Sequence, residues 1–147
     1  MKTIKILLVA FAASVTAFTA KADNDKPIAP EALPANTQQF IQKYFGNKEI
    51  SYAKMDTDFM DKSYEVFFVD GCKAEFDKKG DWKEVSCRTH AIPAGIVPSQ
   101  IEDFVAKNQP NQAIVKIDKD KRDYELKLQN GLEMKFDLSY KFLRYDD

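Results

Sequence analysis

Histidine is nearly absent from this chain: His90 stands alone among 147 residues. With one imidazole, multi-histidine zinc sites are excluded, and the two cysteines, Cys72 and Cys87, lack zinc-finger spacing. Glycine is also scarce, with five in all, and no Gly-rich phosphate loop occurs. Serine is present, but without the nucleophile elbow of a hydrolase. His90 lies in the connector RTHAIPAGI beside Pro93, where a solvated or capping role fits best. The acidic run DKKGD (Asp77 to Asp81) puts Lys79 where an EF-hand needs an oxygen ligand, so it reads as a charged turn. A net charge of −1 offers no basic field to nucleic acid. These absences leave no catalytic residue, no metal ligand set and no cofactor site, and the chain is expected not to be an enzyme.

What is present begins with a leader. Lys2 and Lys5 precede an apolar run from Ile6 to Phe18, and Ala20-Lys21-Ala22 fits the small-x-small cleavage rule. A membrane anchor needs about 20 continuous apolar residues, and Thr16, Thr19 and Lys21 interrupt this run. Residues 1–22 therefore read as a signal peptide, and the mature protein as periplasmic or secreted, with no membrane span. Removing the leader also removes three lysines, leaving the mature chain more acidic. In an oxidising compartment two thiols tend to pair.

Residues 23–32 are proline-rich without hydrophobic periodicity and read as a linker. Leu33-Pro34 then opens a helix with Phe40, Ile41, Tyr44 and Phe45 on one face. Ile50 to Asp56 suits a strand, and MDTDFMDKS a loop. From Tyr64 to Cys87 three strands follow, YEVFFV, CKAEFD and WKEVSC, with turns at Asp70-Gly71 and Lys79-Gly80. The pattern then recurs. Val97-Pro98 opens a second helix carrying Ile101, Phe104 and Val105, and strands follow to Tyr145. Leu33-Pro34 aligns with Val97-Pro98, Tyr64 with Tyr124, Asp70-Gly71 with Asn130-Gly131, and Trp82 with Phe142. The fold class expected is α+β: a tandem repeat of one helix plus four antiparallel strands, residues 33–96 and 97–147. Together they would form one domain, a single curved sheet with both helices on one face.

Strand period and turn register refine this. A two-residue turn at Lys79-Gly80 pairs Asp77 with Trp82 and, counting outward, Cys72 with Cys87. Opposed residues on neighbouring strands sit at disulfide distance, so a cross-strand Cys72–Cys87 bridge is expected. Closing so small a loop contributes at most about 3 kcal/mol on the chain-entropy account. Val66, Phe68, Ala74, Phe76, Leu126, Leu128, Met134 and Phe136 would face the helices, and Glu65, Lys73, Glu75, Glu125, Lys127 and Lys135 the solvent. Phe67 and Val69 fall on the solvent side, and this register puts Trp82 and its counterpart Phe142 there too. Either these aromatics pack under a loop or between the two copies, or a bulge turns Trp82 back inward, or they are anchors of a protein-binding face.

The strings YEVFFVDGCKAEFDKKGDWKEV and YELKLQNGLEMKFD resemble the PepSY-like, β-lactamase-inhibitor-protein-like family of exported bacterial proteins. The specific part is an apolar-x-apolar-x-(D/N)-G-x-x-x-x-F-D pattern, seen at Val66 to Asp77 and Leu126 to Asp137. The resemblance implies a periplasmic, non-enzymatic protein of tandem repeats, related to proteins that grip an enzyme with a sheet face. It brings no catalytic residue. The function expected is therefore protein binding, for example inhibition of a peptidase or other envelope enzyme, through Phe67, Val69, Trp82 and Phe142. The alternative is a structural protein of the envelope that uses the same face as a homodimer seam.

Overall fold

The computed structural model describes residues 25–58 and 61–146. The leader, residues 1–22, lies outside the described residues. Among the described residues, nine strands form one open antiparallel sheet, each paired with its neighbours in chain order. They are β1 (Asp25–Ile28), β2 (Ile50–Asp58), β3 (Asp61–Phe68), β4 (Cys72–Phe76), β5 (Trp82–Cys87), β6 (Ile114–Lys119), β7 (Asp123–Leu128), β8 (Glu133–Asp137) and β9 (Phe142–Asp146). Helix α1 (Ala35–Phe45) lies between β1 and β2, and α2 (Ser99–Asn108) between β5 and β6. The architecture is α+β.

Both helices begin after a proline, Pro34 and Pro98, each in extended backbone at the N-cap. This position suits a residue whose ring fixes φ and whose missing N–H needs no partner. Both helices pack on the same face. Phe40 meets Phe76 edge-on at 5.5 Å, Phe45 stacks on Phe68 at 4.2 Å, and Phe104 meets Phe136 edge-on at 5.5 Å. Strand alternation supplies the floor of this core: Val66, Ala74, Val85, Ile117, Leu126 and Met134 are fully buried. Each large apolar side chain so buried contributes about 1.5–3 kcal/mol.

Three local expectations are corrected. Part of the expected linker is ordered: Asp25–Ile28 forms edge strand β1, and Pro30–Ala32 a short 3-10 turn. Pro27 is tolerated there because an edge strand has one side with no ladder to serve. The expected MDTDFMDKS loop is mostly hairpin, since β2 runs to Asp58 and β3 starts at Asp61, with Thr57 opposite Lys62. Finally, Trp82 and Phe142 do not face outward. Cys72 does pair with Cys87, and Glu75 with Glu84, but Phe76 then pairs with Trp82, so Lys83 is the extra residue of a bulge. The same shift recurs where Lys135 pairs with Arg144 and Phe136 with Phe142. Each bulge reverses the facing of the residue beyond it. Trp82 thereby stacks near Phe40 at 6.2 Å, and Phe142 on Phe104 at 4.7 Å.

The turns beside these bulges explain the shift. They are longer than two residues: Asp77 N–H donates to the Asp81 carbonyl, and Asp137 N–H to the Lys141 carbonyl. The Asp77 carboxylate accepts from the N–H groups of Lys79 and Asp81, at 2.8 and 3.0 Å. Asp137 does the same for Ser139 and Lys141, both at 2.9 Å. The left-handed position is Gly80 in one turn and Tyr140 in the other, with φ of 86° and 70°.

Helix α1 docks its first turn on the β4–β5 turn. The buried Thr37 hydroxyl donates to the Gly80 carbonyl at 2.8 Å, and the Asn36 amide donates to the Lys79 carbonyl and the Asp81 carboxylate, both at 2.9 Å. A Cβ on Gly80 would lie 2.3 Å from Asn36 Oδ1 and 2.7 Å from Pro34 Cβ, whereas one on Gly131 would meet nothing within 4 Å. Both glycines have similar positive φ, 86° and 91°, so each alanine substitution carries the same left-handed penalty of about 1–2 kcal/mol. Gly80→Ala is expected to lower the urea midpoint further than Gly131→Ala, because it also displaces the helix start. Equal losses would contradict the docking.

Candidate binding face

The helices cover one side of the sheet, and the described residues place no element over the other. On that open side the cross-strand register builds a row that spans β2 to β9. Lys54 pairs with Glu65, Glu65 with Glu75, Glu75 with Glu84, Glu84 with Asp118, Asp118 with Glu125, Glu125 with Lys135, and Lys135 with Arg144. Its centre is an unbroken line of carboxylates on neighbouring strands. Like charges directly opposite are destabilising by roughly 0.2–1 kcal/mol per pair, so this arrangement runs against fold stability. The next row begins with aromatics and continues with cations. Tyr52 pairs with Phe67, Phe67 with Lys73, Lys73 with Ser86, Ser86 with Lys116, and Lys116 with Lys127.

Ion pairs stitch the rows together. Lys116 reaches Glu84 at 3.1 Å and Asp118 at 3.4 Å, Lys54 reaches Glu65 at 3.4 Å, and Lys83 reaches Glu75 at 3.6 Å. The carboxylates respond unequally. Burial raises the Glu75 pKa and, against the pull of Lys83, its contact with Glu84 raises it further. Burial also works against ionised Glu84, but the Lys116 hydrogen bond and the Lys73 charge outweigh it and hold Glu84 low. Burial and the Glu84 charge raise Asp118. Glu75, Glu84, Asp118 and Glu125 line an open depression of about 390 Å³ together with Lys83 and Lys135.

The expected site residues divide. Phe67 stays on the open side, half-buried under the stacked Tyr52 ring at 4.5 Å, with the Lys54 and Lys73 ammonium groups 5.8 and 5.9 Å from its centre. Val69 is 63% exposed at the turn after β3. Trp82 and Phe142 join the core on the helix side. Sequence reasoning missed Tyr52, because a bulge at Ser51 separates the Ile50–Phe68 pair from the Tyr52–Phe67 pair and moves Tyr52 off the Ile50 face. It also missed that Glu84 and Asp118 extend the line from Glu65 and Glu75. Strand alternation gives each residue's facing, but only the β5–β6 register, across a helix, aligns the row.

Cys72 and Cys87 form the expected disulfide, with Cα atoms 4.0 Å apart. His90 is placed beside it, its Nε2 3.2 Å from Cys72 Sγ.

The raised Glu75 pKa has a testable sign. A carboxylate whose folded pKa exceeds its unfolded value lowers stability at neutral pH, and that loss vanishes once both states are protonated. Glu75→Gln is therefore expected to stabilise the fold at pH 7 by several tenths of a kcal/mol. The gain should shrink as pH falls through the raised Glu75 pKa. A urea series at several pH values measures it, and a variant destabilised at pH 7 would show that the Lys83 pair outweighs the repulsion.

Comparisons with known proteins agree with this architecture. The family model described as "Putative beta-lactamase-inhibitor-like, PepSY-like" matches residues 62–144. No curated protein matches the chain. Three solved Bacteroides structures are similar. A B. vulgatus protein described as a "putative periplasmic protein" of the DUF2874 family is 48% identical, with a TM-score of 0.81 over 86% of this chain and 99% of its own. A B. thetaiotaomicron protein described as a "putative calcium-regulated periplasmic protein" is 46% identical, with a TM-score of 0.81 over 84% and 97%. A second B. vulgatus protein, described as of unknown function, is 34% identical, with a TM-score of 0.79 over 84% and 99%. This chain belongs to the PepSY-like, beta-lactamase-inhibitor-like family of periplasmic proteins.

Proposed function

We propose that this protein is a non-enzymatic binding module that engages an exported protein partner, such as a peptidase or another envelope enzyme, through the open side of its sheet. The supporting observation is the face itself: a line of opposed carboxylates, unfavourable for the fold, beside the Tyr52–Phe67 stack and exposed Val69. Sequences tend to be locally consistent with their fold, and departures from that consistency concentrate at functional positions. The occupant this face suits is a basic segment crossing the acidic row, with an apolar side chain set against the aromatic stack. The inhibitor-like family description points the same way. The helix-plus-four-strand units 33–96 and 97–147 act in this reading as one platform, with the row crossing the join between β5 and β6.

Calcium enters as a regulator. The B. thetaiotaomicron relative is described as calcium-regulated, and hard cations take carboxylate ligands. On this chain the carboxylates of the acidic row are spread out and lysine-paired, so calcium would compete with a basic partner segment by screening the row.

Immobilised mature protein and a Phe67→Glu variant of equal thermal stability test the proposal against envelope extract. The expected result is an enzyme retained by the wild type, slowed by added wild-type protein and lost from the variant, with retention altered by calcium and restored by a chelator. An enzyme retained equally by both proteins would overturn the assignment of this face.

A further inference from the structure

A cluster around the disulfide gathers at the β3–β4 turn, with its cysteines on the buried side of the sheet. Among the described residues, Cys72, Cys87 and His90 are the group whose sulfur and nitrogen atoms lie within 4.8 Å of one another. The β3–β4 turn adds a carboxylate: Asp70 Oδ2 is 3.3 Å from His90 Nε2 and 3.6 Å from Cys72 Sγ. His90 Nε2 is itself 3.2 Å from that sulfur. Zinc bond lengths of about 2.0–2.3 Å imply edges of roughly 3.3–3.8 Å between tetrahedral ligands. The spacings of His90 Nε2 and Asp70 Oδ2 from each other and from the Cys72 sulfur are close to that size, whereas the two sulfurs are bonded and must move apart.

The surroundings also match those of a metal ligand set. Thr89 Oγ1 lies 3.3 Å from His90 Nδ1, where it can orient the ring. Asp70 is fixed by the Cys72 N–H, which donates to Oδ1 at 3.0 Å, and by the Lys48 ammonium, which donates to Oδ2. Lys48 also sits 3.5 Å from His90 Nε2 and would balance the surplus negative charge of two thiolates and a carboxylate around a divalent ion. The cysteines are buried, but the His90 and Asp70 side chains are 39% and 30% exposed, so the cluster opens to solvent on their side.

We propose that Cys72, Cys87, His90 and Asp70 form a redox-gated site for a thiophilic divalent metal, closed while the disulfide is intact and opened by a thiol reductant. Two reductant thiols reduce the Cys72–Cys87 bond. The reductant leaves as its own disulfide, and two cysteine thiols remain. On metal binding each thiol releases a proton and the two thiolates ligate, joined by neutral His90 through Nε2 and by the Asp70 carboxylate. Rotation about each Cα–Cβ bond separates the sulfurs while β4 and β5 stay paired. No sequence motif marks this site, because its ligands come from two strand ends, a turn and a connector.

Cobalt(II) is the probe, added to mature protein reduced with a phosphine and freed of oxygen. One equivalent is expected to bind with a thiolate-to-cobalt absorption in the near ultraviolet and the visible bands of tetrahedral cobalt, and zinc should discharge both. The oxidised protein should show neither band. His90→Ala and Asp70→Asn should each weaken cobalt binding at least tenfold while preserving the far-ultraviolet circular dichroism. Undiminished binding by His90→Ala would overturn the site. So would a reduced wild type that keeps its dichroism but shows no charge-transfer band, or one that loses its fold in the presence of cobalt.

Discussion

The apolar residues on one side of the sheet are buried under two helices, and the structure depends on that one-sided burial. The strands are consecutive in sequence and antiparallel throughout, so alternation sorts the sheet between its bulges. Val66, Ala74, Val85, Ile117, Leu126, Met134 and their neighbours vanish under α1 and α2. The residues between them are held in rows on the other side, whether or not their charges agree. The carboxylate line from Glu65 to Glu125 is a product of this constraint, because the core fixes the register and the register aligns the acids. A one-residue slip would scatter the acids, but it would also expose the core.

Much of this is legible in the sequence. Pro34 and Pro98 marked both helix starts, Asp70-Gly71 and Asn130-Gly131 marked hairpins, and counting from a turn found the Cys72–Cys87 pair. What escaped was local. Counting assumed two-residue turns, whereas Asp77 and Asp137 each cap a longer loop with their own carboxylate. The bulges that follow turn Trp82 and Phe142 inward. Burying a large aromatic against Phe40 or Phe104 favours the bulged register over continuous pairing. Strand β1 escaped because Pro27 hides a pattern of only four residues.

The two chemical regions of the molecule differ in kind. The open face is built from long charged side chains on rigid strands, with an aromatic stack at one end, and it suits recognition by charge and shape. The Cys72–His90–Asp70 cluster is built where strand ends, a turn and a connector converge, and it suits metal chemistry once its sulfurs are free. Neither was visible as a motif, since each needs residues brought together across strands.

The central claim is that the sheet side opposite the helices is where a partner sits. Replacing Tyr52 with a photo-crosslinking amino acid, and separately replacing exposed Gln42 on the outer surface of α1, tests it in the intact envelope. The account predicts a discrete adduct with a different protein from position 52 and none from position 42. An adduct from position 42 alone, or one from position 52 whose only other member is this same chain, would contradict it.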